Sequence, residues 1–307
     1  MRIGVPAEVK NHEYRVAVTP AGVRELVLNG HEVFVQAEAG LGSSVTDAEY
    51  EGAGARILPT ADDVWGTGAL ILKVKEPIAE EYGRMRAGQV LFTYLHLAAD
   101  KRLTEELIAR NVTGIAYETV QTPNGALPLL APMSEVAGRL APQAGAATLM
   151  KAQGGRGVLM GGVPGVYAAK VVVIGAGVSG LNAAAIAAGM QAQVLLLDLN
   201  IDRLRAVDQL YRGQIQTVAS NAFEIERAVL GADLVIGAVP NTSTHALTNV
   251  TLPYAVALAN KGWRQACIDD ASLALGVNTH GGHLVNAAVG DATGLDTVTL
   301  GDLLASH

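Results

Sequence analysis

The chain contains little cysteine, few aromatic residues and less positive than negative charge. Among its 307 residues Cys267 is the single cysteine, so no internal disulfide can form, and this favours a reducing cytoplasm as its compartment. Aromatic residues amount to 2 Trp, 8 Tyr and 3 Phe. Because 29 Asp and Glu outnumber 22 Lys and Arg, giving a net charge of -7 without any basic stripe, we expect no nucleic-acid partner.

Long apolar runs are also missing. No uninterrupted apolar segment approaches the roughly 18 residues that a membrane-spanning helix needs, and residues 2–5 read as a strand rather than an apolar signal region. We therefore expect a soluble protein with no membrane contact, and no metal site is predicted. Apolar residues nevertheless make up 50% of the chain, largely as Ala and Val, and the mean hydropathy is +0.29. This surplus favours a homo-oligomer, although a dense parallel α/β core would also use it.

One segment carries a glycine pattern typical of dinucleotide binding. Four apolar residues, 171–174, predict a buried strand, and Gly175, Gly177 and Gly180 follow with the spacing G-x-G-x-x-G. In such a turn the first glycine bends the chain off the strand, the second admits a diphosphate, and the third lets the next helix pack closely. Free N–H groups and the helix dipole then favour the negative charge of the diphosphate.

Asp198 extends this pattern. A second apolar strand, 194–197, ends in this carboxylate at the distance where an acidic residue accepts hydrogen bonds from the adenosine ribose. Because a carboxylate there repels a 2′-phosphate, the sequence favours NAD over NADP. A helix N-cap or a solvated strand end is the alternative interpretation of Asp198.

The order of predicted elements indicates an α/β protein with two open parallel-sheet domains. In the first domain, residues 1–130, strands are predicted at 2–5, 33–35, 70–74, 90–94 and 114–117, and helices at 20–28, 47–52, 80–86 and 103–109. A long Ala-rich helix at 132–151 opens the second domain, residues 131–241. There further strands are predicted at 215–218 and 234–239, and helices at 201–212 and 223–230.

The second domain is expected to be a Rossmann-type NAD domain that is shortened in its nicotinamide half. A full domain has about six parallel strands, whereas four are predicted here before a helix begins at residues 240–243. The remaining residues, 242–307, are predicted to be a helical segment with turns, because no further apolar strand pattern follows residue 262.

Three residues of the first domain are candidates for chemistry at predicted strand ends or loops. Arg15 offers a planar fork for a carboxylate, Lys75 could hold a carboxylate or polarise a carbonyl, and the imidazole of His96 is a candidate general acid or base. From the residues alone, each could equally be a solvated or structurally satisfied side chain.

Several motifs resemble those of the alanine dehydrogenases and the related pyridine nucleotide transhydrogenase α-subunits. The resemblance covers residues 1–240 almost continuously and extends to the carboxyl-terminal segment. The motifs are GVPAEVKNHEYRVAVTP at 4–20, KVKEP at 73–77, YLHLA at 94–98, AYET at 116–119, GGRGVLMGGVPG at 154–165, TSTHALTN at 242–249 and GVNT at 276–279.

The resemblance implies a role for individual residues. It implies that Arg15 and Lys75 bind the substrate carboxylate and carbonyl and that His96 is the general acid and base. It further implies an NAD site that, with the glycine turn of Gly175, Gly177 and Gly180, comprises Ser134, Val178, Ser179, Asp198, Arg203, Ser220 and Val239. At position 203 the family usually has lysine, so Arg203 keeps the charge and changes the geometry.

The chain departs from the family pattern after Val239. In the family several tens of residues follow at this point; they carry the last sheet strands, a catalytic aspartate and a loop under the nicotinamide. Here Asn241 follows almost at once. Asp269 and Asp270 lie further downstream and do not match the missing motif. We therefore expect weak NAD binding and slow turnover of alanine.

Three functions remain in consideration. The resemblance implies reversible NAD-dependent oxidative deamination of L-alanine to pyruvate and ammonia by a cytoplasmic homo-oligomer, commonly a hexamer in the family. A catalytically impaired protein that keeps the fold, self-association and partial NAD binding is the alternative. A transhydrogenase-type domain working with a membrane partner is disfavoured, because the carboxyl-terminal segment resembles that of the soluble dehydrogenases.

Overall fold

The computed structural model describes residues 1–237 and 244–305. In this part the chain forms two compact units, the first made of residues 1–130 with 244–305 and the second of residues 131–237. Both units are α/β with parallel strands, so the predicted fold class is confirmed. The functional division at residues 130 and 241 stays a prediction. No helix within the described ranges combines the length and apolar character that crossing a membrane requires.

Strands and helices alternate along residues 1–130. The strands are β1 (Arg2–Val5), β2 (Glu32–Gln36), β3 (Arg56–Leu58), β4 (Leu70–Leu72), β5 (Val90–Thr93) and β6 (Thr113–Ala116). The helices are α1 (Pro20–Leu28), α2 (Asp47–Gly52), α3 (Ala61–Thr67) and α4 (Lys101–Ala109). These six strands are parallel and lie in the order β6-β5-β4-β1-β2-β3.

Local signals explain where these elements begin. Thr19 accepts a hydrogen bond from the N–H of Gly22, and Pro20 occupies the first turn, so α1 starts where its cap and fixed φ predict. Thr46 and Glu49 form a complete capping box at α2. Strands β4, β5 and β6 are buried along their whole length, as expected for the interior of a parallel sheet covered on both faces.

The second unit follows in chain order. Its elements are α5 (Ala131–Thr148), β7 (Lys170–Ile174), α6 (Val178–Gly189), β8 (Gln193–Asp198), α7 (Ile201–Tyr211), β9 (Ile215–Ala219), α8 (Ala222–Leu230) and β10 (Leu234–Gly237). The four strands described are parallel, in the order β10-β7-β8-β9. The strand order therefore reverses between β7 and β10, which in open α/β sheets is where ligands bind, at the carboxyl ends.

The carboxyl-terminal part returns to the first unit. It contains α9 (Thr244–Asp269), α10 (Ala271–Ala274), β11 (Val277–His280), β12 (His283–Leu284), α11 (Ala287–Thr293) and α12 (Leu300–Ala305). Helix α9 is interrupted at Gly262, whose φ is 74°. Strand β11 pairs antiparallel with β6, and β12 pairs antiparallel with β11.

The prediction that residues 262–307 contain no strand was therefore wrong. Strands β11 and β12 are too short for an alternating pattern to stand out, but Gly281 and Gly282 join them with φ values of 60° and 79°. Two such residues between strands are typical of a tight hairpin turn. The first sheet is consequently parallel except for this antiparallel edge.

Two smaller expectations also need correction. The helix predicted at 80–86 is only a short 3-10 turn, Tyr82–Arg84, and the sequence did not predict β3 or α3. Strand β3 has three residues, of which two are half-buried, so its apolar pattern is weak.

Candidate active site

Three candidate residues and one further carboxylate follow the carboxyl ends of four neighbouring strands. Arg15 lies in the segment after β1, Lys75 follows β4, and His96 follows β5. Glu118 follows β6. The strands β6, β5, β4 and β1 are neighbours in this order, and parallel strands have their carboxyl ends at the same edge of the sheet. The four segments therefore lie side by side at that edge.

Arg15 is buried and is held by Glu13. Its Nε donates to Glu13 Oε1 at 2.7 Å and its Nη2 donates to Glu13 Oε2 at 2.5 Å. Burial raises the pKa of the Glu13 carboxyl, but the hydrogen bonds and charge of Arg15 and the charge of Lys75 lower that pKa below its ordinary value. A fixed carboxylate therefore orients the guanidinium for which the family resemblance implies substrate binding.

Lys75 is half-buried, and within the described ranges its Nζ makes neither a hydrogen bond nor an ion pair that would fix it. Its backbone N–H donates to Glu8 Oε2 at 3.3 Å, and the N–H of Val74 donates to Glu8 Oε1 at 2.6 Å. The main chain at Lys75 is thus anchored while its ammonium group can turn towards a ligand.

His96 has its ring fixed by a carboxylate. The His96 Nδ1 atom lies 3.1 Å from Glu76 Oε2, and the ring stacks on that of Tyr94 with 5.8 Å between centroids. The other Glu76 oxygen pairs with Lys10. Burial raises the pKa of Glu76, but the hydrogen bonds from His96 and Lys10 lower that pKa to about 2. Glu76 is consequently ionised at neutral pH.

The backbone of His96 adopts an unusual conformation. Its φ of 51° lies in the left-handed region, which costs a non-glycine residue free energy unless the surroundings impose it. Glu118 does so, because its Oε1 accepts hydrogen bonds from the N–H groups of His96 at 2.6 Å and Leu95 at 3.1 Å.

A buried charge cluster lies behind Lys75. The Lys73 ammonium is fully buried and contacts Glu81 Oε1 at 2.8 Å and Glu8 Oε2 at 3.3 Å, and both carboxylates are almost completely buried. Burial raises the pKa of Glu8, whereas the two carboxylates keep the pKa of Lys73 above its ordinary value against the effect of burial. The cluster fixes the backbone that carries Lys75.

The low pKa of Glu76 predicts a pH-dependent contribution to stability. A carboxyl whose folded pKa falls from 4.5 to about 2 stabilises the folded state above pH 4.5 and loses that contribution as the pH falls towards 2. The shift alone corresponds to about 3 kcal/mol, which solvent screening of the exposed Lys10 and His96 partners reduces to about 2 kcal/mol. Urea unfolding between about pH 5.5 and 2.5 should show the free energies of unfolding of the wild type and Glu76→Gln becoming more alike as the pH falls. The difference in this free energy between the wild type and the exposed variant Glu80→Gln should stay constant over the same range.

The second group of candidates surrounds the glycine turn of the second unit. Gly175 has a φ of 100°, a conformation that favours glycine, and a Cβ at Gly180 would lie 1.7 Å from the carbonyl oxygen of Gly175. At Gly177, the N-cap of α6, a Cβ would meet no atom of the described residues within 4 Å, and no side chain among those residues caps the helix. The free N–H groups of α6 and the open space before them fit a diphosphate.

Asp198 ends β8 beside this turn. Its Oδ2 accepts from the N–H of Ala176 at 2.5 Å and its Oδ1 from the N–H of Asn200 at 2.6 Å, while Arg203 Nη1 lies 4.0 Å away. Burial raises the pKa of Asp198, but these backbone hydrogen bonds and Arg203 lower that pKa below its ordinary value. The carboxylate is not the N-cap of α7, which is Asn200.

The remaining cofactor candidates take these positions. Val178 and Ser179 form the first turn of α6, Ser220 follows β9, and Arg203 is exposed on α7. Ser134 lies one turn before Gly138, where α5 packs against Ser179 so closely that a Cβ on Gly138 would lie 2.2 Å from the Ser179 carbonyl oxygen. Val239 lies outside the described residues. A groove of about 480 Å³ in this unit lies at the opposite, amino-terminal edge of the strands, so it is not part of this group.

The sequence did not single out the carboxylates that hold the candidate residues, Glu8, Glu13, Glu76 and Glu118. Glu13 lies two residues before Arg15, and this proximity is the signal that was available for it. Glu76 is next to Lys75 in the sequence but contacts His96, so its position gave no such signal. Asp269 pairs with Lys261 at 2.5 Å, and Asp270 caps α10 by accepting from the N–H of Ser272 at 2.8 Å. Both aspartates therefore have structural roles.

Two family profiles match the chain. Residues 4–137 match the profile described as "Alanine dehydrogenase/PNT, N-terminal domain". Residues 141–240 and 237–287 match "Alanine dehydrogenase/PNT, C-terminal domain", so this second match is divided into two ranges that meet at 237–240.

Curated relatives match over their full length. The alanine dehydrogenase of Mycobacterium tuberculosis (strain CDC 1551 / Oshkosh) is 49% identical over 371 residues, which covers 99% of this chain and 100% of the relative. The alanine dehydrogenase of Halomonas elongata is 46% identical over 370 residues, with the same coverage. Because the first alignment has 371 positions and this chain has 307 residues, at least 64 of those positions have no counterpart here.

Solved structures agree with this similarity. A structure titled L-alanine dehydrogenase superposes with a TM-score of 0.88 at 41% identity, covering 95% of this chain and 99% of the other. A transhydrogenase from Sinorhizobium meliloti superposes with a TM-score of 0.73 at 24% identity, covering 93% of this chain and 100% of the other, and this likeness concerns the fold alone.

Proposed function

Because the chain belongs to the alanine dehydrogenase/PNT family, we propose that it catalyses the reversible NAD-dependent oxidative deamination of L-alanine to pyruvate and ammonia. The observation that carries this proposal is the 49% identity to an alanine dehydrogenase over 99% of this chain. Support comes from the cationic groups of Arg15 and Lys75 and from the imidazole of His96, whose Nδ1 contacts Glu76, all in segments at one edge of the sheet.

The substrate is an amino acid or a keto acid, and each carries one carboxylate. We assign Arg15 to that carboxylate, because a guanidinium oriented by Glu13 is prepared for charge-assisted hydrogen bonds. Lys75 is assigned to the carbonyl oxygen of pyruvate, which an ammonium group polarises. Fixing the acid in this way holds its α-carbon in one place.

His96 is assigned to proton transfer. When bound, NAD accepts the hydride that leaves the substrate α-carbon. Water then adds to the carbon of the resulting protonated imine as His96 removes one of its protons and passes it to the nitrogen. His96 next takes the remaining hydroxyl proton, so that the carbonyl forms as ammonia leaves and this proton passes to solvent. In the reverse direction His96 returns the proton to the oxygen that departs as water.

The second unit is assigned to NAD. Its glycine turn and the free amides of α6 would hold the diphosphate, and Asp198 would accept from the ribose hydroxyls. Ser134, Val178, Ser179, Arg203, Ser220 and Val239 are proposed to complete this site. A cytoplasmic location and a homo-oligomer, a hexamer by family resemblance, belong to the same proposal.

A specific observation favours impaired catalysis as the second candidate function. At least 64 alignment positions are missing, and the divided profile match indicates that the gap falls near 237–240. Four parallel strands are described where a complete dinucleotide domain has about six. We therefore expect weaker NAD binding and slower alanine oxidation than in a full-length relative. Intact mass distinguishes a 31.7 kDa protein from one that carries a further segment.

NADH formation tests the function directly. We expect L-alanine and NAD to produce NADH, dependent on both reactants and at a lower rate than the Mycobacterium tuberculosis relative measured in parallel. A rate equal to that of the relative contradicts the impairment. No NADH formation at any enzyme concentration contradicts the assigned activity.

Arg15→Ala tests the substrate assignment. Loss of the charge-assisted hydrogen bonds is expected to lower kcat/KM for pyruvate reduction by about 100-fold, which corresponds to about 2.7 kcal/mol, without changing the Kd for NADH. Arg15→Lys is the matched control, because it keeps a charge beside buried Glu13 and should lose less. An equal loss of NADH binding would show that Arg15 acts only through the fold.

A further inference from the structure

His96 is held by three independent contacts, and each acts on a different part of the residue. Glu118 accepts the backbone N–H, the Tyr94 ring lies against the imidazole, and Glu76 contacts Nδ1. Removing the Glu76 carboxylate therefore leaves the main chain and the ring plane of His96 supported. Its contribution to the imidazole can be separated from its contribution to the loop.

The Glu76 carboxylate is itself fixed. One oxygen pairs with Lys10, so the other is directed to the imidazole, and the side chain is 12% exposed. Since its low pKa keeps the carboxyl ionised at neutral pH, it can only accept a hydrogen bond there. The 3.1 Å contact to Nδ1 is consequently made by an N–H on that nitrogen.

We infer that Glu76 is a positioning residue that holds the proton of neutral His96 on Nδ1 and thereby leaves Nε2 as the proton acceptor. This inference rests on the proposed function, since it concerns how the base of that reaction is prepared. It goes further by stating which ring nitrogen exchanges protons with the reactants.

The proton balance follows from this arrangement. As the oxygen of water forms its bond to the imine carbon, Nε2 takes one proton from that water, and His96 then carries a proton on each nitrogen. Glu76 balances the new positive charge through the hydrogen bond on Nδ1, and no proton moves to the carboxylate. Nε2 returns its proton to the amino nitrogen of the carbinolamine and then takes the remaining hydroxyl proton as the bond from carbon to nitrogen breaks. Pyruvate and ammonia form, and the ring is restored when that last proton passes to solvent.

The charge around Glu76 is suited to this role. Lys10 offsets the carboxylate in the resting state, so the base is not surrounded by unbalanced negative charge. A neutral imidazole without a fixed acceptor can place its proton on either nitrogen. The form with the proton on Nε2 has no lone pair on that nitrogen to accept a proton from the reactants, so an enzyme that populates this form loses rate in proportion.

The ¹⁵N NMR spectrum of ligand-free protein labelled at histidine tests the inference at about pH 9, where imidazole groups are neutral. The His96 signals are identified by their loss in His96→Gln. We expect the wild type to show a protonated Nδ1 and an unprotonated Nε2, and Glu76→Ala to move most of the proton to Nε2. Glu80→Ala, which removes an exposed carboxylate on the same segment, should match the wild type.

Steady-state kinetics complete the test. Glu76→Ala is expected to lower kcat for pyruvate reduction by about 100-fold while KM for pyruvate changes by less than about 3-fold, because the base and not the carboxylate site is altered. An unchanged tautomer in Glu76→Ala overturns the inference, and so does a changed tautomer with unchanged kcat. If the wild type forms no NADH, the proposed function fails, and the NMR spectra still decide what Glu76 does to His96.

Discussion

Lys73→Met is expected to lower the free energy of unfolding by about 3–5 kcal/mol, because it leaves two buried carboxylates without their shared cation. Methionine has a similar length and fills the space of the lysine stem, so little of the loss comes from a cavity. Urea unfolding followed by circular dichroism measures the effect, and the expected loss is a large fraction of the stability of an ordinary domain.

A second substitution separates charge from packing in this cluster. Burial raises the pKa of Glu8, so the ionised Glu8 costs free energy, and Glu8→Gln in the Lys73→Met background should recover part of the loss. Gln can still accept one hydrogen bond from the N–H of Val74. If Glu8→Gln destabilises both backgrounds equally, the effect of Lys73→Met is steric and the charge interpretation is wrong.

Gly180→Ala is expected to weaken NAD binding by about 100-fold, which corresponds to about 2.7 kcal/mol. The new Cβ would lie 1.7 Å from the carbonyl oxygen of Gly175, which is backbone and cannot swing aside. Helix α6 must move away from the turn, and its free amides then no longer meet at one diphosphate. Titration calorimetry with NAD measures the change, alongside thermal unfolding, which should report a loss of about 1–3 kcal/mol from overpacking.

The same helix provides the control. A Cβ at Gly189 would meet nothing within 4 Å, so Gly189→Ala should leave NAD affinity unchanged and raise stability by about 0.5–1 kcal/mol through helix propensity. Equal NAD affinity in Gly180→Ala and the wild type would show that the turn does not hold the cofactor.

Much of the fold could be predicted because the signals are local. The bounds of β1, α1 and α2 follow from a buried strand, a Thr-Pro start and a capping box. The strand Lys170–Ile174 was predicted to within one residue, and a glycine turn followed by a helix was predicted after it, for the same reason. Such features depend on neighbours within a few positions.

What could not be predicted depends on contacts between distant parts of the chain. Strand β11 reads as a turn-rich segment until β6 supplies its partner, as where the N–H of Gly114 donates to Thr279 Oγ1. Likewise the resemblance identified His96, but only folding brings Glu76 to its Nδ1 and Glu118 to its backbone. The sequence therefore indicates the reacting groups more readily than the groups that orient them.

The antiparallel pairing of β11 with β6 also constrains how the protein is made. Gly114 and Thr279 are 165 residues apart, so during synthesis this edge of β6 stays unpaired until the last part of the chain leaves the ribosome. The intervening residues 131–237 can collapse on their own in the meantime. Nascent chains halted before residue 277 should therefore bind chaperones through that bare strand edge, and chains released after residue 284 should not.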